Sequence, residues 1–210
     1  MLKSLALAGL LSLLPQVARA DMTLLVEEPY GAFGGMTPTG HAAVYFSHVC
    51  ADTPVTLRRC LPGESGVVIS RYHRIDRYDW VAIPLMAYLY AVERPDQVPG
   101  AAGSEQVAAL QDRYRRAHLE EIVPDEPDGS TPKGDWVQLV GEGYYRTIYA
   151  FRMETSEAKD EQLIREFNQR PNRNRFSLLL RNCADFTRQT INFYFPHAIH
   201  RSFISDIGIM

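Results

Sequence analysis

The sequence lacks several features that would assign a chain to a large functional class. It has only three cysteines and neither a CxxC nor an HExxH motif, so it shows no zinc-binding pattern. It has no cluster of basic residues, and its formal net charge is −3. Such a chain has no electrostatic reason to bind nucleic acid or anionic lipid. We therefore expect no metal ion, no other cofactor and no nucleic-acid partner.

Apolar runs long enough to cross a membrane are also missing. The run Leu5–Leu14 has ten residues, half of the roughly 20 that a spanning helix needs. Lys3 precedes it and the small-x-small pattern Ala18–Ala20 follows it, which predicts that residues 1–20 are a cleavable export signal. A retained N-terminal anchor is the alternative. Cleavage would leave residues 21–210 as one periplasmic or secreted domain, with a net charge of −5 because two bases and no acid are lost.

Hydrophobic content of 46% and charged content of 22% are typical of a globular domain with its own core. Strand-like segments come early and helix-like segments come late, with no regular βαβ alternation, so the predicted class is α+β with a small antiparallel sheet packed against helices. The predicted strands are 22–26, 41–49 and 66–73, with a later hairpin formed by 136–140 and 144–152 around Gly141 and Gly143. One predicted helix begins at Ser104, and two others cover 157–170 and 183–194.

The most apolar internal segment is Trp80–Val92, which only Pro84 interrupts. That proline is expected to separate a strand from a following helix or extended piece. We interpret the segment as a buried strand and core helix. An acyl-binding wall or a patch that touches a membrane is the alternative.

The three cysteines leave at least one unpaired within a monomer. Cys50–Cys60, Cys50–Cys183 and Cys60–Cys183 are all possible disulfides. The first is favoured because Cys50 and Cys60 flank a short segment with a turn signal at Asp52-Thr53-Pro54. Cys183 would then be a free thiol in an oxidising compartment, which is unusual enough to need a reason.

Cys183 stands where a helix is predicted to begin. Asn182 is a good N-cap residue, and Asp185 occupies the position of a capping-box acid. The sulfur would then lie at the positive end of the helix among free backbone N–H groups. These features favour the thiolate and predict a lowered pKa for Cys183. The same N–H groups could hold the oxyanion of an acyl transition state.

A cysteine nucleophile also needs a base, and His41 is the best-placed histidine because it opens an apolar strand directly after a glycine. If Cys50 faces Cys60 across a hairpin, continuing that register places Ile69 opposite His41, with His73 farther along the same face. His73 is therefore the candidate that orients the imidazole. A single bulge would reverse the parity and favour Ser70 instead.

The motifs Thr39–Tyr45 (TGHAAVY) and Asn182–Phe186 (NCADF) resemble the circularly permuted papain-like superfamily. That group includes lecithin retinol acyltransferase relatives, bacterial cell-wall amidase and peptidase relatives, and bacterial members of unassigned function. The resemblance implies a thiol nucleophile at Cys183, a base at His41, and a small antiparallel sheet packed on the cysteine helix. The chain departs from the family on the strand after His41, because Gly66–Tyr72 has no acid or second histidine at its centre.

Together these patterns predict an exported cysteine hydrolase or acyltransferase that acts on an amide, ester or thioester. Its expected substrate is a cell-envelope peptide or an acyl lipid, and the sequence indicates no oligomeric state. The missing central acid or histidine motivates an alternative, a non-catalytic envelope binding module that keeps the papain-like shape. A structural envelope protein whose cysteines all serve folding is the third possibility.

Overall fold

The protein is built around a central antiparallel sheet with helices on both faces. The computed structural model describes residues 19–29, 40–73, 75, 78–173, 176–177 and 180–200. The strands of these ranges are β1 (Arg19–Glu27), β2 (His41–Phe46), β3 (Val49–Thr53), β4 (Thr56–Arg59), β5 (Val67–Ser70), β6 (Val81–Pro84) and β7 (Ile148–Ser156). The α-helices are α1 (Leu85–Tyr90), α2 (Ser104–His118), α3 (Glu157–Gln169) and α4 (Cys183–Tyr194). Short 3₁₀ helices cover Pro95–Gln97, Asp135–Leu139 and Glu142–Tyr144.

Five of these strands form one sheet in the order β6-β5-β2-β1-β7, and every neighbouring pair is antiparallel. The hairpin β3–β4 forms a separate two-stranded sheet. The predicted α+β class with an antiparallel sheet is therefore confirmed.

The two faces of the large sheet carry different cores because successive side chains of a strand alternate between faces. Leu25, Ala43 and Val68 pack on one side with apolar residues of α1 and α2. Met22 and Val44 pack on the other side with apolar residues of α3 and α4. We call these the α1–α2 face and the α3–α4 face.

Several local predictions about the helices are confirmed. The strand β6 ends at Pro84 and α1 follows directly, as expected because proline lacks the N–H that a helix interior needs. The helix α2 begins at Ser104, and α4 covers Cys183–Tyr194 as predicted. The helix α3 begins after Ser156, whose side chain accepts a hydrogen bond from the Lys159 backbone N–H.

The predicted hairpin formed by 136–140 and 144–152 is wrong. Its first half is helical, and β7 pairs with β1 instead, with Met22 opposite Met153. The glycine between the halves, Gly141, donates its backbone N–H to the Ala87 carbonyl of α1 at 3.0 Å. The preceding segment packs Trp136 and other apolar residues into the core of the α1–α2 face, so burial overrides the alternating pattern.

The predicted disulfide Cys50–Cys60 is confirmed. The register of the β3–β4 hairpin does not set the register of the large sheet. The reason is that β3 and β4 belong to another sheet and have an irregularity near Ala51. The strands β2 and β5 pair with Val44 opposite Ile69. The expectation that His41 lies opposite Ile69 is therefore wrong, and the parity of the second strand is reversed.

The predicted signal peptide lies mostly outside the described residues, but its last two residues belong to β1. Arg19 pairs with Ser156 and Ala20 with Thr155, and the side chain of Ala20 is fully buried. Cleavage after Ala20 would leave Asp21–Glu27 to form the strand. None of the helices in the described ranges has both the length and the apolar character needed to cross a membrane.

Candidate active site

The N-terminus of α4 holds Cys183 in a well-anchored position. The Asn182 side chain accepts a hydrogen bond from the Asp185 backbone N–H at 3.0 Å, which is the predicted N-cap. The Asp185 carboxylate in turn binds Arg188 at 2.6 Å and Arg71 at 3.3 Å. Arg71 also donates to the Asn182 carbonyl, so buried charged groups support the residues on either side of the cysteine.

The free thiol of Cys183 is surrounded by backbone N–H groups. The residue is partly exposed, and N–H groups of Ala42 and Ala184 are hydrogen-bonded to the sulfur. Burial of the thiol raises the pKa of Cys183, although these hydrogen bonds oppose the rise. The lowered pKa expected from the helix N-terminus is therefore wrong for this state of the protein. The desolvation of the thiolate therefore has a larger effect on the pKa than the stabilisation of the thiolate by the backbone N–H groups.

His41 is the first residue of β2 and directly precedes Ala42, whose backbone N–H contacts the Cys183 sulfur. Gly40 allows this strand to start where it does. Its φ is +70°, and a Cβ there would lie 2.5 Å from the Glu27 carbonyl oxygen. The buried His41 ring stacks on Tyr72 with 4.9 Å between ring centroids. Burial and the nearby Arg146 lower the pKa of His41 to about 3, so the imidazole is neutral at physiological pH.

The thiol and the imidazole reach the same end of β2 from opposite faces of the sheet. His41 shares the α1–α2 face with Ala43, whereas α4 packs on the α3–α4 face. At this end of the strand the Ser70 hydroxyl donates to the Ala42 carbonyl at 2.7 Å. His41 Nε2 has no hydrogen-bond partner in the described part of the chain, so it makes no hydrogen bond to the thiol. The residue common to both groups is Tyr72, which stacks on His41 and whose pKa is raised in part by the charge of Cys183.

A buried carboxylate that the sequence patterns did not reveal lies next to the imidazole. Glu27 is the direct cross-strand partner of His41, and its oxygens contact the Tyr88 hydroxyl and, at 3.5 Å, Arg146. Arg146 also pairs with Glu142 at 2.6 Å, and all of these side chains are buried. Burial raises the pKa of Glu27, while the Tyr88 hydrogen bond and Arg146 oppose that shift. The available signal was the position of Glu27 at the end of a predicted strand, before the Gly-rich segment that precedes His41 in the sequence.

Tyr72, not His73, is the residue of the second strand region that contacts His41. The His73 imidazole is exposed, lies 3.1 Å from the Asp135 carboxylate and packs near Phe176. The reversed parity of β5 explains this exchange, because it turns the even-numbered positions towards the face that His41 occupies. A role for His73 in orienting the imidazole has no contact in the structure to support it.

Possible metal ligands lie close together, among the described residues, only at Cys50, Cys60 and Glu64. The two sulfur atoms of that group form the disulfide, so they have no free thiolate to offer a metal. His41 and Cys183 do not belong to this group.

Comparisons with models of protein families, with curated proteins and with solved structures gave no match. The groups around Cys183 and His41 are therefore the basis on which a function can be inferred.

Proposed function

We propose that this protein is an exported cysteine hydrolase or acyltransferase with a permuted papain-like domain. The observation that carries the proposal lies at the start of β2, where the backbone of Ala42, the residue after His41, contacts the only free thiol, which stands at the start of a capped helix. The order of the parts, with the histidine strand first and the cysteine helix last, agrees with the resemblance in sequence. So does the antiparallel sheet against which α4 packs.

In the resting protein the reacting groups are a neutral thiol and a neutral imidazole. When a substrate carbonyl binds, Cys183 Sγ attacks its carbon while His41 Nε2 takes the thiol proton. The backbone N–H of Cys183, with that of Ala184, stabilises the oxyanion once the sulfur has moved towards the carbonyl. His41 then returns the proton to the departing amine, alcohol or thiol. Water or an acceptor nucleophile breaks the thioester and restores the thiol.

Glu27 takes the supporting role that sequence patterns assigned to His73. It occupies the strand position directly opposite His41. Arg146 and Tyr88 hold that carboxylate in place. Glu27 is therefore a positioning residue that stabilises the imidazolium during proton transfer.

The Cys50–Cys60 disulfide is typical of a protein that folds in an oxidising compartment. Together with the export signal predicted for residues 1–20, it supports a periplasmic or secreted enzyme. The substrate in such a location is a cell-envelope peptide or an acyl lipid, because both contain the amide, ester or thioester bonds that a thiol can attack.

The proposal is tested by acyl transfer from 4-nitrophenyl octanoate, followed by nitrophenol release and by intact-protein mass spectrometry. We expect an octanoyl adduct on Cys183 and a burst of nitrophenol that is absent from Cys183→Ser. His41→Ala should reduce the acylation rate by about 10²–10⁴-fold because proton transfer is lost. His73→Ala, which changes an exposed histidine, is the matched control and should retain the rate. A burst that survives in Cys183→Ser would end the proposal.

A non-catalytic binding module is the second candidate, and the pKa directions favour it. The raised pKa of Cys183 and the lowered pKa of His41 both oppose a thiolate–imidazolium pair, and Nε2 makes no hydrogen bond to the sulfur. A bound envelope fragment that remains intact after long incubation, with no adduct on Cys183, would select this candidate.

A further inference from the structure

A cleft between α3 and α4 is a feature that the proposed chemistry does not use. It has a volume of about 720 Å³, and its lining residues do not include Cys183 or His41. Its aromatic lining consists of Trp80, Phe167, Phe186 and Phe193. Trp80 and Phe186 are buried at its base, and Phe167 packs against both of them, with ring centroids 5.0 and 6.0 Å apart. The cleft therefore offers a continuous apolar surface.

Five arginines line the same cleft, namely Arg71, Arg170, Arg173, Arg181 and Arg188. Its acidic lining residues are Asp79 and Glu166. This excess of positive charge stands out because the whole chain has more acidic than basic residues. The local field therefore favours an anion, against the average charge of the protein.

Some of these arginines serve the fold and others retain unused donors. Arg71 is held by Asp79 through two hydrogen bonds of 2.9 and 2.8 Å and by Asp185. Arg188 also binds Asp185, and Arg170 pairs with Glu166, at 2.6 and 2.8 Å. Arg181 is held less closely, 3.7 Å from Asp79 and with 42% of its side chain exposed. Its guanidinium N–H groups, with those of Arg173, therefore remain available to a ligand oxyanion in the cleft.

We propose that this cleft is a binding site for an amphipathic anion, with its acyl or aromatic group on Trp80 and Phe193 and its carboxylate or phosphate on the arginines. Guanidinium groups match both oxyanions because they present planar pairs of N–H donors. The volume lies within the range of small-molecule sites, and the mixture of an apolar base with a few convergent polar groups is typical of them. This inference goes beyond the proposed function, since the site is separate from the thiol.

The first test is isothermal titration calorimetry of the mature protein with four probes at concentrations below micelle formation. Octyl phosphate and octanoate carry both parts of the expected ligand. Octyl glucoside carries only the chain, and inorganic phosphate carries only the anion. We expect the two amphipathic anions to bind at least about tenfold more tightly than either partial probe, because both surfaces must be engaged. The stronger of the two identifies the head group. Equal binding of octyl glucoside would overturn the proposal.

The second test locates the ligand with matched variants. Arg173→Gln with Arg181→Gln removes two charges at the cleft, whereas Arg113→Gln with Arg165→Gln removes two charges from exposed helix positions elsewhere. We expect the cleft variant to weaken octyl phosphate binding by about tenfold or more and the control to leave it unchanged. Equal effects of the two variants would show nonspecific charge attraction and would overturn the proposal.

A substitution in the apolar lining locates the ligand even if the double arginine variant folds poorly. Phe193 is only partly exposed at the cleft, and Phe151 is an exposed aromatic residue on β7. Phe193→Ala should weaken binding of both amphipathic anions severalfold, whereas Phe151→Ala should not. Unchanged binding in a folded Phe193→Ala protein would place the ligand elsewhere and contradict the proposal. Acylation of Cys183 by the nitrophenyl ester, measured in the same variants, separates this result from failure of the proposed enzyme function.

Discussion

The two faces of the sheet use charged residues in opposite ways. On the α1–α2 face, Glu27, Glu142 and Arg146 are buried together, and one guanidinium serves two carboxyl groups whose pKa values burial raises. On the α3–α4 face, arginines line an open cleft above an aromatic base. A charge enclosed by protein thus serves the fold, whereas the charges beside the open cavity are the ones that we propose bind a ligand.

The largest change in stability is expected when the cation of the buried cluster is removed. Arg146→Met should lower the free energy of unfolding by about 3–5 kcal/mol, because it leaves Glu27 and Glu142 buried without a compensating charge. Urea unfolding at pH 7 measures the change. Arg152→Met is the control, since Arg152 pairs with Asp21 on the surface and should have a much smaller effect. Similar losses in both variants would contradict the contrast between buried and exposed charge.

The next largest effect concerns the pH dependence that His41 confers. Its pKa is lowered to about 3 by burial, so between pH 6.5 and 3 the unfolded chain binds a proton that the folded protein rejects. Stability should therefore fall as the pH decreases through this window, by roughly 3 kcal/mol between pH 6.5 and pH 4.

Urea unfolding of His41→Gln across this range should show a shallower loss than the unmodified protein. The matched variant is His73→Gln, which changes an exposed histidine and should alter the slope less. Parallel pH profiles for His41→Gln and the unmodified protein would show that the imidazole is not enclosed as described.

The close approach before His41 should have a smaller but specific effect. Gly40→Ala would introduce a Cβ 2.5 Å from the Glu27 carbonyl oxygen at a φ of +70°, and should cost about 1–3 kcal/mol. Gly129 has a similar φ of +79°, but no atom lies within 4 Å of an added Cβ. The loss of stability in Gly129→Ala therefore measures the cost of the positive φ alone. Thermal unfolding compares the two, and equal losses would exclude a steric role at the start of β2.

The smallest effect concerns Asp160 on the α3–α4 face, and its sign is opposite to that of His41. Burial raises the pKa of Asp160 to about 6, and Tyr194 donates a hydrogen bond to it at 2.7 Å. Between pH 4 and pH 6 the folded protein holds the extra proton, so this group makes stability fall as the pH rises. Asp160→Asn should remove that loss, about 1 kcal/mol after allowance for solvent screening.

Thermal unfolding of Asp160→Asn at pH 4 and pH 7 checks the sign. Glu161→Gln, on the same helix at a more exposed position, is the control. If Asp160→Asn gains no stability at pH 7 relative to pH 4, the two faces do not respond to pH in opposite directions.

Features governed by neighbours in sequence could be predicted. Asn182 caps α4 through the backbone three residues later, so the position of Cys183 at the helix start was readable from the pattern. The break at Pro84 and the short-range Cys50–Cys60 disulfide depend on similarly local geometry.

Features governed by distant segments could not be predicted. The register between β2 and β5 is independent of the Cys50–Cys60 hairpin. Because of that register Tyr72, and not the predicted His73, packs against His41. The segment 136–144 was predicted to begin a hairpin but is helical, because its apolar side chains fill the core of the α1–α2 face. Local periodicity contains no information about which cavity a side chain will fill.

The sequence alone predicted where α2, α3 and α4 begin, favoured Cys183 as the cysteine without a disulfide partner, and indicated that a histidine opens a strand after a glycine. These follow from capping, proline geometry and short loops, whose partners lie within a few residues. The three-dimensional packing was needed to show that Glu27 lies opposite His41, that burial raises the pKa of Cys183, and that five arginines line a cleft with aromatic residues. Desolvation and charge pairing depend on everything that surrounds a group in space, and that surrounding exists only after the chain has folded.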